Sequence, residues 1–512
     1  MIELDGNNLT LDQITDVARN NVVVKISDRG RENIQRARLW LEEIVKSGRP
    51  VYGINTGFGI FSDSNIQAHE AAILSRNLII SHAVGTGAYL AEEIVRAAML
   101  VRANTLTKGH SGVRIEIIQT ILDMLNKGLT PKVPSQGSLG SSGDLGPLSH
   151  MALVFTTDDA DKLEESGFAD YQGKVVPGKE GMALTGIERI KLGAKEGLAI
   201  NNGASFSAAI AAIAIEDARY LLELAEYCLA LSLEALQGCS TAFDSRLHEV
   251  RGHQGQIKVA ENVRALFEGS KLIDSTNRIQ DAYSLRCAPQ VQGAAHETLD
   301  FVARMIGKEV NAATDNPLLF GSEGALSGGN FHGEPIAMTM DFLGIAMAEV
   351  GAISERRIYR LTDGKMNGGL PPMLVDTHEA AGLNSGLMML QYTAASLALE
   401  NQSLANSDAV LSLPTSGGQE DHNANSMTAA RHARDIVENV THILAIEIFT
   451  ASRAIDLRLR TNPDFKLGIG SQQIFDQIRG IVAYQTGDRL WGSDIELIKN
   501  EIRKRKIKII HQ

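Results

Sequence analysis

The chain has 512 residues, of which 44% are hydrophobic and 21% charged, so it is too apolar for a disordered protein and too long for one hydrophobic core. Two domains or one elongated bundle is expected. A formal net charge of −12 excludes nucleic acid and an anionic membrane as main partners, since both reward clustered positive charge, and leaves a small molecule.

The opening MIELDGNNLTLDQ lacks the charged-then-apolar pattern of a secretory signal, and the first extended segment follows at Asn21 to Ile26. Apolar residues then recur at three and four over Arg31 to Lys46, Glu92 to Lys108 and Ile115 to Lys127, with Gly109 and Gly128 as stop signals after the last two. A short strand is expected at Gly173 to Val176. The second half changes character: alanine- and leucine-rich segments at Phe206 to Leu236, Glu334 to Arg360, Leu383 to Ser403 and Thr428 to Ser452 each predict a helix of more than about 20 residues, packed in a bundle. Phe206 to Leu236 is interrupted by Glu216, Asp217 and Arg219, short of the ~18 uncharged residues of a membrane span, and reads as a buried core helix. Cys228, Cys239 and Cys287 are too few and too scattered for a disulfide framework or a zinc site, which fits a reducing cytoplasm. No HExxH or comparable histidine cluster suggests a metal, and the basic Lys499 to Lys508 tail reads as a solvated helix face. A boundary near residue 200 divides a loop-rich N-terminal domain, 1–200, from a helical domain, 201–512.

Loops are where chemistry is expected, and three are rich in glycine or polar residues: Ser135 to Leu148, Ala325 to His332 and Leu413 to His422. The first contains GSLGSSGDLGPLSH at 137–150. A phosphate cradle is set aside because GxxxxGK[ST] is absent. Two readings remain. One is a flexible turn, for which glycine and serine are suited. The other is self-cyclisation: the Gly143 nitrogen attacks the Ser141 carbonyl carbon, and dehydration turns Ser142 into an exocyclic methylidene. Glycine leaves the attacking nitrogen unhindered, Ser142 supplies the hydroxyl lost as water, and a small residue at 141 permits the tight turn.

With VYGINTGFG at 51–59, SHAVGTG at 81–87, KEGLAINNG at 195–203, YSLRC at 283–287, DNPL at 315–318, SGGNFHGEP at 327–335 and LPTSGGQEDH at 413–422, the loop forms an ordered set. In order, spacing and total length the chain resembles the methylidene-imidazolone (MIO) aromatic amino-acid ammonia-lyases, and within them the branch acting on histidine. The resemblance spans nearly the whole chain. It implies a mainly α fold with a long central helical bundle of the fumarase/aspartase type and a loop-rich N-terminal domain. It further implies a cytoplasmic homotetramer with shared active sites, no external cofactor, and conversion of L-histidine to trans-urocanate and ammonia.

What the resemblance implies residue by residue is chemically coherent. The MIO group from Ser141, Ser142 and Gly143 captures the substrate amine, making it a leaving group. Tyr52 matches the base that takes the β-proton, for which an ordinary tyrosine with pKa ~10 needs a stabilised anion. Arg286 matches the clamp on the substrate carboxylate, a task suited to the guanidinium fork. Asn202, Gln280 and Tyr283 match residues that orient the substrate or the ring, and Phe331 matches an aromatic wall. His82 and Glu420 carry substrate choice, since a carboxylate facing imidazole would be left unpaired by phenylalanine. Departures from the family pattern stand at Ser141, usually alanine, at Asn201 and Ala204, and in HNANSM at 422–427. An aminomutase built on the same electrophile and a catalytically inactive homologue are the alternatives. The fumarase and aspartase signature GSSxMPxKxN is absent.

Overall fold

The computed structural model describes residues 1–48, 50–56, 66, 70–322 and 324–509. Gly57, Phe58 and Gly59 of the VYGINTGFG motif lie outside the described residues. The described chain is mainly α, with eighteen α-helices and β-strands of two to four residues in sheets of two or three strands. It divides into two compact units that are discontinuous in sequence and do not meet at a single boundary near residue 200. Met1–Glu216, Val302–Asp341 and Ser407–Arg431 form the first, and Asp217–Phe301, Phe342–Asn406 and His432–Gln512 the second.

In the first unit local chemistry sets the helix limits. Asp28–Ser47 starts where the Ser27 hydroxyl accepts the Gly30 amide at 3.0 Å and ends at Gly48, whose φ of 66° few other residues adopt without strain. Ile115–Lys127 buries Ile117, Ile118, Ile121, Leu122 and Leu125 on one face and stops at Gly128 with φ 71°. Glu92–Thr107 is buried from Ile94 onward, Arg96 and Arg102 included. All the described strands fall in this unit: Ile2–Leu4 lies parallel to Val24–Ile26, and Leu129–Pro131, Phe168–Tyr171 and Lys174–Pro177 form an antiparallel sheet. The expected strand at 21–26 is thus shorter, and that at 173–176 is displaced by one residue.

The second unit holds most of the length of the long helices. Ser205–Ala235, Glu334–Thr362 and Ser426–Thr461 exceed twenty residues as expected, while Met388–Leu404 has only 17. The expected start at Leu383 is lost because Gly386 takes φ 58° and the Leu387 amide, which a helix from Leu383 would turn back on that residue, donates to the Met373 carbonyl at 2.8 Å. Side-chain bonds tie the helices together: Ser232 and Arg357 both donate to Glu447, each at 2.8 Å, Gln391 donates to Glu355 at 2.9 Å, and Asn439 donates to Asn401 at 2.9 Å. Arg357 and Glu447 have no exposed side-chain surface, so each satisfies a charge that would be costly alone. Among the described residues one helix, Glu334–Thr362, is long and apolar enough by length and composition to cross a membrane; 61% of its apolar window is buried within the protein. Phe206 to Leu236 is buried as the sequence suggested.

Candidate active site

The serine-glycine loop is held in the first unit from four sides. Beneath it, the amide of Gly203 donates to the Ser142 carbonyl at 3.2 Å and the amide of Asp144 donates to the Gly203 carbonyl at 2.9 Å, making a parallel bridge between Gly143 and Gly203. Gly143 has φ 77°, and a Cβ there would lie 2.1 Å from the Gly203 carbonyl carbon. Only glycine fits both constraints. The Asn202 side-chain amide donates to the same Ser142 oxygen at 2.8 Å.

Helix Leu145–Phe155 leaves the loop directly, with Asp144 at its N-cap. The Asp144 carboxylate is fully buried and accepts Ser138 Oγ at 2.9 Å, Ser207 Oγ at 2.8 Å and the Ser207 amide at 2.8 Å. Burial pushes its pKa up, while those donors pull the other way. Ser207 shares its hydroxyl with Ser426, 3.0 Å away, at the start of Ser426–Thr461. The loop carrying Phe331 closes another side: the Gly333 amide donates to the Gly140 carbonyl at 3.0 Å, and Phe331 itself is half-buried.

The fourth side is Leu413 to His422. Glu420 accepts Ser142 Oγ on Oε1 at 2.8 Å and Ser141 Oγ on Oε2 at 2.9 Å. His82 ends Ala71–His82 with its Nδ1 3.0 Å from Ser81 Oγ. Burial lowers the His82 pKa, and the charge of Glu420 partly offsets this.

Tyr52 sits on a turn in the same unit, half-buried, between two fixed neighbours. Ile54 packs with Leu41, Ile44 and Leu319, and a Cβ on Gly53 would meet Leu198 and Pro317 at 2.7 and 2.9 Å. The turn therefore rests on the DNPL motif and on Glu196–Asn201, the helix that leads into Asn202.

Gln280, Tyr283 and Arg286 belong to the second unit. Tyr283–Arg286 is a single helical turn in which the guanidinium of Arg286 stacks 4.6 Å from the Tyr283 ring centroid and its Nε donates to the Asp281 carbonyl at 2.9 Å. Tyr283 is 71% exposed and Gln280 is also exposed.

Sequence reasoning gave no role to the buried polar layer under the loop. Lys195 Nζ donates to Asp315 at 2.6 Å with neither side chain exposed, and Ser111 donates to Asp315 at 2.8 Å. Arg102, fully buried, donates to the Asn202 carbonyl, and burial lowers its pKa to about 10, with Asp315 and Asp144 opposing that shift. Lys195 and Asp315 stood in quoted motifs, and Asp144 stood next to the cyclising glycine. Arg102 had no local signal. The departures are accommodated: Asn201 donates to Ser149 at 3.2 Å, Ala204 is buried, and Asn425 of the 422–427 segment donates to the carbonyls of Asp408, at 3.3 Å, and Leu411.

The loop's chemistry fits the MIO group. Cyclisation and dehydration would release two waters, one carrying the Ser141 carbonyl oxygen and one the Ser142 hydroxyl. The Ser142 carbonyl oxygen would be kept, and it is the one that Asn202 and Gly203 hold.

The model of the aromatic amino acid lyase family matches residues 9–480. A histidine ammonia-lyase of Caldanaerobacter subterraneus subsp. tengcongensis is 46% identical over 509 residues, which cover 99% of this chain and 97% of that protein. Among solved structures, histidine ammonia-lyase from Trypanosoma cruzi is similar with a TM-score of 0.89 at 38% identity, covering 99% and 94% of the two chains. Tyrosine aminomutase from Streptomyces globisporus reaches 0.91 at 33% identity, covering 99% and 97%. The chain belongs to the aromatic amino acid lyase family.

Proposed function

We propose that this chain is a carbon–nitrogen lyase that eliminates ammonia from L-histidine to give trans-urocanate, using an electrophile formed from Ser141, Ser142 and Gly143. The observation that carries the reading is the position of Glu420, whose carboxylate meets the Ser142 hydroxyl at 2.8 Å. A carboxylate beside the electrophile suits an imidazole N–H and penalises a phenyl ring that would leave the charge unpaired.

Ser141, Ser142 and Gly143 would hold the MIO ring as part of the backbone, and it would supply an electrophilic carbon for the substrate amine. Asn202 and the Gly203 amide polarise the retained Ser142 oxygen and so draw electron density from that carbon. Tyr52 removes the β-proton. Glu420, next to His82, receives the imidazole N–H and orients the ring, and Phe331 forms an apolar wall. Arg286 grips the substrate carboxylate, with Gln280 and Tyr283 beside it. The exposure of Gln280 and Tyr283 supports a homotetramer in which they complete a site on another copy of the chain. No external cofactor is required, and the small-molecule substrate is the principal partner.

The likeness to tyrosine aminomutase favours one second reading, return of the amine to the β-carbon. Product analysis separates the two. Purified protein given L-histidine is expected to release one ammonia per urocanate, measured by an ammonia assay and mass spectrometry. A β-amino acid of unchanged mass establishes the aminomutase instead, and ammonia from tyrosine or phenylalanine but not histidine overturns the substrate.

A further inference from the structure

Ser141 brings a hydroxyl where the family pattern has a methyl group, and the structure gives that hydroxyl a single described partner, Glu420 Oε2 at 2.9 Å. The other oxygen of the same carboxylate takes the Ser142 hydroxyl at 2.8 Å. These two donors differ in their future. The Ser142 oxygen leaves as water when the electrophile forms, whereas the Ser141 side chain takes no part in the ring. After maturation Oε1 has lost its partner and Oε2 has kept its own.

We infer that Ser141 is a positioning residue that holds the Glu420 carboxylate by Oε2, so that Oε1 stays directed at the place the Ser142 hydroxyl has vacated and can accept an N–H from substrate there. Ser141 is 6% exposed, so water competes poorly for this bond. A hydrogen bond to a charged acceptor is among the stronger kinds, and fixing a long side chain before binding reduces the ordering left for the substrate to impose. Alanine at 141 would leave Glu420 to find another partner or to lose its orientation. The inference rests on reading Glu420 as the partner of the substrate's imidazole.

The test uses the full chain in a Ser142→Ala background, where no electrophile forms and L-histidine can bind without turnover. Calorimetric titration with L-histidine is expected to show affinity falling roughly tenfold when Ser141→Ala is added, and returning with Ser141→Thr. With Glu420→Gln also present, Ser141→Ala should change affinity by less than about twofold, because the charged acceptor it serves is gone. Equal losses with and without the Glu420 carboxylate, or no loss at all, overturn the inference while leaving the histidine reading standing. Absence of any L-histidine binding to the Ser142→Ala protein removes the histidine reading itself. In the otherwise native chain, the loop peptide of Ser141→Ala must still show the loss of two waters by mass spectrometry. Retention of both waters would assign Ser141 to ring formation instead and contradict the positioning role.

Discussion

The carboxylate of Asp144 receives both the amide and the hydroxyl of Ser207, each at 2.8 Å, and so clamps the start of one helix to the start of another immediately below the serine-glycine loop. Asp144→Ala would take the acceptor from the buried Ser207 amide and leave the Ser207 and Ser138 hydroxyls only Ser426 Oγ, at 3.0 Å, and the Gly143 carbonyl, at 3.4 Å. The expected loss of stability is about 2–4 kcal/mol, read from urea unfolding. Because the loop's register depends on the same clamp, the loop peptide should keep both of its waters. A variant of native stability with a normally dehydrated loop would contradict the clamp.

The buried Lys195–Asp315 pair makes a different prediction. Lys195→Met strands Asp315 with the Ser111 hydroxyl as its remaining described donor and should cost about 3–5 kcal/mol, as for other broken buried pairs. The double variant Lys195→Met, Asp315→Leu removes both charges and should recover most of that loss. Unfolding of the two variants side by side checks it: equal losses would mean that the pair matters through shape, not charge.

Glu309 links stability to pH. Burial pushes its pKa up to about 7, with Asp144 adding repulsion, from an ordinary value near 4.5. Between those values the folded state holds a proton that the unfolded chain has released, so this group's contribution is full below about pH 4.5 and is lost as pH rises through about 7. Glu309→Gln should therefore be more stable than the native chain above pH 7, with the difference shrinking toward pH 4.5. Urea midpoints measured across that range check the sign, and parallel curves for the two proteins would contradict it.

Much of the fold was legible because its signals are local. The helices Asp28–Ser47 and Ile115–Lys127 announce themselves by period, the second also by its closing glycine, and the long helices by alanine- and leucine-rich composition. Leu383 to Gly386 was misread for the opposite reason: Gly386 is turned to φ 58° and the next amide, of Leu387, is taken by the Met373 carbonyl, and nothing local marks that. The site divides the same way. Ser142 and Gly143 are neighbours in sequence and carry their chemistry in their own types, and Gly143's need for glycine reappears as φ 77°. The contact of Glu420 with both serines joins residues 278 and 279 positions apart and was anticipated only as a partner for substrate. Arg102 lies in a helix whose apolar pattern it merely interrupts, so its placement under Asn202 had no sequence signature.

Tyr52 is assigned the proton transfer, and its turn is fixed by Gly53 against Leu198 and Pro317, so removal of the hydroxyl alone should not disturb the loop. Tyr52→Phe is expected to lower kcat by at least about a hundredfold, within the usual range for a general base, while the loop peptide still shows the loss of two waters. Near-native turnover would take Tyr52 out of that role.

The central claim is that this chain makes its own electrophile and uses it on histidine. Its most direct test is to add L-histidine to the purified protein and follow the near-ultraviolet absorbance of urocanate, with Ser142→Ala alongside. The account predicts a steady rise with the native chain and a flat trace with the variant. A rise of equal rate in both would contradict the electrophile, and a flat trace in both, from protein whose loop has lost its two waters, would contradict the substrate.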